Sequence, residues 1–147
     1  MLANIILNDI TDYMAVNKAV SDVSASYNMN FLKTNPGGSS IILGETDLDA
    51  SALQAVDSLS IDEFLIQNHL DPADVRYVWI DTEGFEANVL KGAELLFEQK
   101  KTAFYMEYAP VYAGVKQLTI VADICKQYFE KFICIDDFFV AIYSRIQ

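Results

Sequence analysis

Basic side chains are scarce in this sequence: ten Lys and Arg stand against 21 Asp and Glu, a net charge of −11. Nucleic-acid binding rests largely on cationic side chains that neutralise phosphates, so this balance argues against DNA or RNA as a partner. The acidity itself reads as a solubility feature. Histidine is represented by His69 alone. With no predicted partner it reads as a surface or capping residue rather than as a base. Cysteine is nearly as rare. Cys125 and Cys134 fall in a predicted helix and a predicted strand, without neighbours at metal-ligand spacing, and read as reduced core residues. Long apolar runs are missing too. The longest, such as residues 138–143, fall far short of the about 20 residues that a membrane helix needs. No basic segment followed by an apolar one opens the chain, so no secretory leader is apparent. The expectation is a cytoplasmic protein with no membrane partner.

What is present supports a folded domain. Apolar side chains make up 52% of the 147 residues, which argues against disorder. A single domain of this size buries about 68–70% of the surface its unfolded chain exposes. Residues 1–9 read as the tail of a helix, 14–20 as a strand closed by Ser21-Asp22, and 27–32 as a second strand. Asn35-Pro36-Gly37-Gly38 is a turn, since Pro fixes φ and Gly permits positive φ. Residues 39–43 leave it extended, and 44–52 form a polar loop. Residues 53–59 alternate as a strand should, and Ser60 with Glu63 forms a capping box that opens a helix reaching Asp71-Pro72. Later come a helix over 85–98, a strand over 103–108 ending past Glu107 and broken at Ala109-Pro110, and a helix over 117–129. The chain closes with strands at 132–135 and 138–146, joined by Asp136-Asp137 as a hairpin.

One stretch organises the rest. Tyr77-Val78-Trp79-Ile80 is a short apolar strand, Asp81 stands at its carboxyl end, and Thr82-Glu83-Gly84 turns into a helix whose Phe85, Val89 and Leu90 share a face. Trp79 belongs to that core strand. In open α/β sheets, ligands sit outside the carboxyl ends of the strands. Asp81 and Glu83 are therefore the first candidates for chemistry. Glu86, one helical turn on, reads as structural or solvated. A divalent-metal reading of Asp81, Glu83 and Glu86, as in a metal-dependent hydrolase, has hard oxygen ligands in its favour but no histidine to complete it.

The run VWIDTEGFEANVLKGAE resembles the signature of the FkbM-type methyltransferases, S-adenosylmethionine-dependent enzymes. The similarity continues upstream through Ala19-Val20-Ser21-Asp22, the Asn35–Ser40 loop and Ser58-Leu59-Ser60-Ile61-Asp62-Glu63-Phe64-Leu65, and downstream through Phe104-Tyr105-Met106-Glu107 and the closing hairpin. The resemblance implies an α/β fold: a Rossmann-like, doubly wound, mostly parallel sheet with a C-terminal antiparallel hairpin, in one domain over 1–147. It also implies two strands and a Gly-rich turn that are not found here. The six glycines, at 37, 38, 44, 84, 92 and 114, show no G-x-G spacing after a strand. Those two strands would lie between the 14–20 and 77–81 strands, so the latter is expected to have an exposed edge. Weak cofactor binding by these residues alone is the corollary.

By the same resemblance, Val20, Ser21, Asp22 and Asp81 are the cofactor-binding candidates, with Asp22 facing the adenine amine. Asp81 and Glu83 are the catalytic ones, and the acceptor is an oxygen of a small molecule or sugar. Methyl transfer chiefly needs positioning, with modest help from a base. Glu107, Tyr108 and Tyr112 sit where an acceptor enters, but read more readily as an aromatic rim packed on the sheet. The competing reading is a non-catalytic module that pairs with another chain, or as a homo-oligomer, through the open sheet edge.

Overall fold

A computed structural model of the chain describes residues 2–43, 48, 50–107, 110–135 and 138–142. Most of the 44–52 loop, Tyr108, Ala109 and the Asp136-Asp137 turn lie outside the described residues, as do the side chains of Tyr112 and Cys134.

The strands are β1 (Ala19–Val20), β2 (Ser26–Asn30), β3 (Ser40–Ile41), β4 (Leu53–Leu59), β5 (Tyr77–Ile80), β6 (Ala103–Glu107), β7 (Lys131–Ile135) and β8 (Phe138–Ile142). The helices are α1 (Leu2–Leu7), α2 (Ile61–Gln67), α3 (Glu86–Lys91), α4 (Glu94–Gln99) and α5 (Pro110–Tyr128), the last interrupted at Gly114, whose φ is 68°. The class is mixed α/β. Instead of the expected single, mostly parallel sheet, the described residues form two four-stranded mixed sheets, ordered β1-β4-β2-β3 and β5-β6-β8-β7. Among the described residues, only β1 with β4 and β5 with β6 pair in parallel; the other pairings, including β7 with β8, are antiparallel. The physical reason is connectivity. β2 with β3, and β7 with β8, are consecutive strands joined without an α-helical crossover, which favours antiparallel pairing, whereas β5 and β6 are joined by a helical crossover.

Local signals fix several elements as expected. At the start of α2 the Ser60 hydroxyl accepts from the Glu63 amide at 3.0 Å, and the Glu63 carboxylate accepts from the Ser60 amide at 2.8 Å. That helix stops earlier than Asp71-Pro72. The Asn68 side chain bonds back to the Phe64 carbonyl, and exposed His69 adopts a left-handed φ of 55°, so the lone histidine is a helix terminator. The 14–20 strand shrinks to its last two residues because Met14 and Val16 remain exposed, with no face for the strand to bury.

The expected 85–98 helix divides at Gly92-Ala93. There the Asp62 amide donates to the Gly92 carbonyl at 2.9 Å, and the Leu95 amide donates to the Asp62 carboxylate at 3.2 Å. Burial raises the Asp62 carboxyl above its ordinary value, more than those backbone bonds lower it. This junction ties α2, which follows the first sheet, to the helices of the second.

The core lies on one face of β5 and β6. In β6, Phe104 and Met106 are fully buried while Ala103, Tyr105 and Glu107 alternate to the other face. Phe97 of α4 stacks on Tyr128 at 4.7 Å and meets Phe104 and Phe129 at 5.2 and 5.6 Å. Cys125 is buried beside them, and burial pushes its thiol up to about 12. It should therefore resist alkylation by iodoacetamide at pH 8 in the native chain and react on unfolding. Peptide mass mapping reads this directly, and native-state labelling at Cys125 would contradict the packing. Among the described residues no helix is long and apolar enough to cross a membrane.

Candidate active site

The site begins with strand register. Trp79 pairs with Tyr105 and Ile80 with Met106 in the parallel β5–β6 ladder, so Asp81, just past β5, and Glu107, the last residue of β6, stand side by side at its carboxyl end. Period-2 alternation puts them on the face that carries Trp79 and Tyr105, whose rings lie 4.2 Å apart. An aromatic pair is thus followed by a carboxylate pair on one surface.

Glu83 joins the pair through an unusual turn. Its φ is 52°, a left-handed conformation that side chains other than glycine adopt rarely, and Gly84 follows at φ 97°. The turn is held from inside by Glu86, which is almost fully buried. One of its carboxylate oxygens, Oε1, accepts from the Thr82 hydroxyl at 2.9 Å, the Gly84 amide at 3.1 Å and the Thr82 amide at 3.2 Å. Glu86 is therefore structural. It takes no part in the acidic cluster that the metal reading assigned to it.

The cluster consists of Asp81, Glu83 and Glu107, whose carboxylate oxygens lie within 4.8 Å of one another. Glu107, set aside in favour of an aromatic rim on sequence grounds, is the third member. The signal that would have found it is the β5–β6 register. A hydrogen bond to Asp81 raises the Glu107 carboxyl above its ordinary value, helped by burial and by the charges of Asp81, Glu83 and Glu86. Glu107 thus keeps its proton to higher pH than an ordinary glutamate. Three convergent carboxylates could also hold a hard cation such as Mg²⁺.

The other candidates lie on the neighbouring wall. Val20 and Asp81 line one cavity of about 460 Å³, together with Tyr77, Trp79 and residues of α2. Ser21 is fully buried and turned inward, bonded to Tyr27 at 3.0 Å and to Asp22 at 2.9 Å. Asp22 is partly exposed and also accepts from the Asn88 side chain at 3.4 Å, which in turn accepts from Gln117 at 3.2 Å. Burial pushes the Asp22 carboxyl up, but the Ser21 and Asn88 bonds, its own backbone bond and nearby Lys91 outweigh it, leaving Asp22 below its ordinary value. Asn88 was not singled out from sequence; its link to Asp22 spans 66 positions and no local pattern marks it.

A family model, the methyltransferase FkbM domain, matches residues 4–132. The chain belongs to the FkbM methyltransferase domain family. Comparisons with curated proteins and with solved structures gave no match. The family is one of methyltransferases, so methyl transfer is the general activity class of this FkbM domain.

The cluster makes a pH-dependent prediction. A carboxyl whose folded value is raised supports the fold below its unfolded value, and that support is lost as pH rises through the raised value. In this FkbM domain, ionising Glu107 against Asp81 should thus lower stability between the ordinary carboxylate range and the raised Glu107 value. Asp81→Asn removes the opposing charge, so its stability should be flatter across that window and higher than wild type at neutral pH. Urea denaturation at a series of pH values measures it. Parallel curves for the two proteins would contradict the pairing of Glu107 with Asp81.

Proposed function

We propose that this chain transfers a methyl group from S-adenosylmethionine to an oxygen of a small molecule or sugar, with Asp81 as base and orienting group. The observation that carries this reading is the convergence of Asp81, Glu83 and Glu107 at the carboxyl ends of β5 and β6. The chemistry of the lining fits the cofactor. Its sulfonium is a cation, which three carboxylates and exposed aromatic rings attract. Val20 and Asp81 open on one cavity, and Asp22 stands beside Val20, so these three would hold the cofactor. Ser21, bonded inward, acts by orienting Asp22 instead of touching a ligand.

When bound, S-adenosylmethionine supplies an electrophilic methyl group. Asp81 accepts a hydrogen bond from the acceptor hydroxyl and aligns its oxygen, which is the larger part of catalysis in a direct displacement. As that oxygen becomes nucleophilic, its proton passes to Asp81. The hydrogen bond between Glu107 and Asp81 fixes the orientation of the Asp81 carboxylate toward the acceptor. Glu83, fixed by the turn, completes the negative wall. We read the two sheets as flanks of one Rossmann-like, doubly wound sheet in a single domain, with the positions between β1 and β5 unfilled by the described residues.

Transfer of labelled methyl from S-adenosylmethionine to a panel of sugars and polyols tests this reading. Asp81→Asn should lower the rate about 100-fold or more. An unchanged rate would remove Asp81 from the chemistry.

A further inference from the structure

An ionised carboxylate only accepts hydrogen bonds, and that property orders a chain of side chains running inward from Asp22. Asn88 of α3 must present Nδ2 to Asp22 Oδ1, which it meets at 3.4 Å. Its own Oδ1 is thereby turned toward α5, where Gln117 Nε2 donates to it at 3.2 Å. The Gln117 amide is then fixed in turn, and its Oε1 is left buried with no donor among the described residues. Reversing either amide would set oxygen against oxygen at one of the two contacts. The charge on Asp22 therefore dictates the polarity, and the mismatch falls at the far end. A buried acceptor without a partner opposes folding, so one that persists needs a reason. Packing alone supplies none, since Val89 and Leu90 of α3 already share the core cluster with Val121 of α5.

At the near end, Ser21 Oγ and Asn88 Nδ2 both donate to Oδ1 of Asp22, and neither engages Oδ2. Asp22 is partly exposed, which leaves that second oxygen for a donor on a ligand. Burial raises the Asp22 carboxyl, but the Ser21 and Asn88 bonds, its own backbone bond and Lys91 outweigh it, so Asp22 is ionised at neutral pH. We propose that Asn88 and Gln117 are positioning residues of the cofactor site: they hold the Asp22 carboxylate with Oδ2 aimed at the exocyclic amine of adenine, and so select an adenosyl cofactor. Hypoxanthine carries a carbonyl oxygen in place of that amine, and the carboxylate would repel it. Asn88 suits the part by its place, because α3 leaves the turn that carries Glu83. Adenine recognition and the methyl-transfer end thus share one helix. The inference rests on the reading of Asp22 as a cofactor contact, and extends it to two residues that touch no ligand.

The test titrates S-adenosylhomocysteine and S-inosylhomocysteine into the intact chain by calorimetry. The wild type should prefer the adenosyl ligand by about tenfold or more, the worth of one hydrogen bond to a charged group. Asn88→Leu should cut that preference to about threefold or less by weakening the adenosyl ligand alone. Gln117→Met keeps the length of the side chain and removes the orphaned oxygen together with the donor. It should reduce the preference in the same direction while its melting temperature stays close to wild type, and it serves where Asn88→Leu fails to fold. A ¹³C NMR titration of the Asp22 carboxyl, run without ligand, should show a midpoint that rises in Asn88→Leu. A preference unaltered in both variants would overturn the proposal. So would equal weakening of both ligands alongside a lower melting temperature, the mark of a merely structural tie. A wild type that binds neither ligand would remove the transfer reading and this inference together, whereas binding with an unaltered preference removes only the positioning role.

Discussion

Glu86→Ala should cost about 4 kcal/mol and lower the melting temperature by roughly 12 °C. The size follows from how much one atom does. Glu86 Oε1 accepts three hydrogen bonds, two from the backbone and one from a hydroxyl, in a nearly solvent-free position. Deleting it leaves the Thr82 and Gly84 amides and the Thr82 hydroxyl without their acceptor, and each unsatisfied group costs about 1–3 kcal/mol where water cannot reach it. The turn should then relax, because left-handed backbone at a non-glycine residue persists only where its surroundings hold it. Glu83 is that residue, so its carboxylate should leave Asp81 and Glu107, and methyl transfer should fall with stability. Glu86→Gln keeps an acceptor oxygen and should cost only about 1–2 kcal/mol. Thermal unfolding followed by circular dichroism separates the variants. Equal, small losses in both would mean that the turn does not depend on this carboxylate.

Gly92→Ala should cost about 3 kcal/mol, toward the upper end of what overpacking does. The requirement here is room and not backbone conformation, since φ at Gly92 is an ordinary −87°. A Cβ at this position would collide with the Ser21 carbonyl oxygen and stand 2.8 Å from Ser60 Cβ and 3.2 Å from Asp22 Cα. The nearest of these is main chain and cannot swing aside as a flexible side chain could. Relief requires the end of α3 to move off the loop after β1, which pulls Asn88 from Asp22 and loosens the link between the sheets. The variant should lose cofactor affinity as well as stability, with a melting temperature roughly 10 °C lower. On an exposed helix the same change would stabilise by up to about 1 kcal/mol. A neutral or stabilising result would show that the two segments do not approach so closely.

What was legible from sequence is what is decided locally. The capping box of Ser60 and Glu63, β4 at its observed bounds, and the strand, turn and helix around Asp81 each rest on residues a few positions apart. Pairing between distant segments was not legible. Neither the division into two mixed sheets nor the break at Gly92 leaves a periodic trace, because both are set by what the chain meets in three dimensions. The site divides in the same way. Asp81 and Glu83 were visible as the end of a strand and its turn, whereas Glu107 acquires its meaning only when β6 aligns beside β5. Ser21 belonged to a matching motif, and its hydroxyl bonds to Asp22 and Tyr27, contacts that no local pattern announces.

The central claim is that Asp81 and Glu107 meet at the end of the β5–β6 ladder, where their hydrogen bond raises the Glu107 carboxyl, with Glu83 beside them. A ¹³C NMR titration of the Glu107 side-chain carboxyl, in the wild-type chain and in Asp81→Asn, tests it most directly. The account predicts a midpoint above the ordinary glutamate value that falls back toward it in the variant. An ordinary midpoint, identical in both proteins, would contradict it.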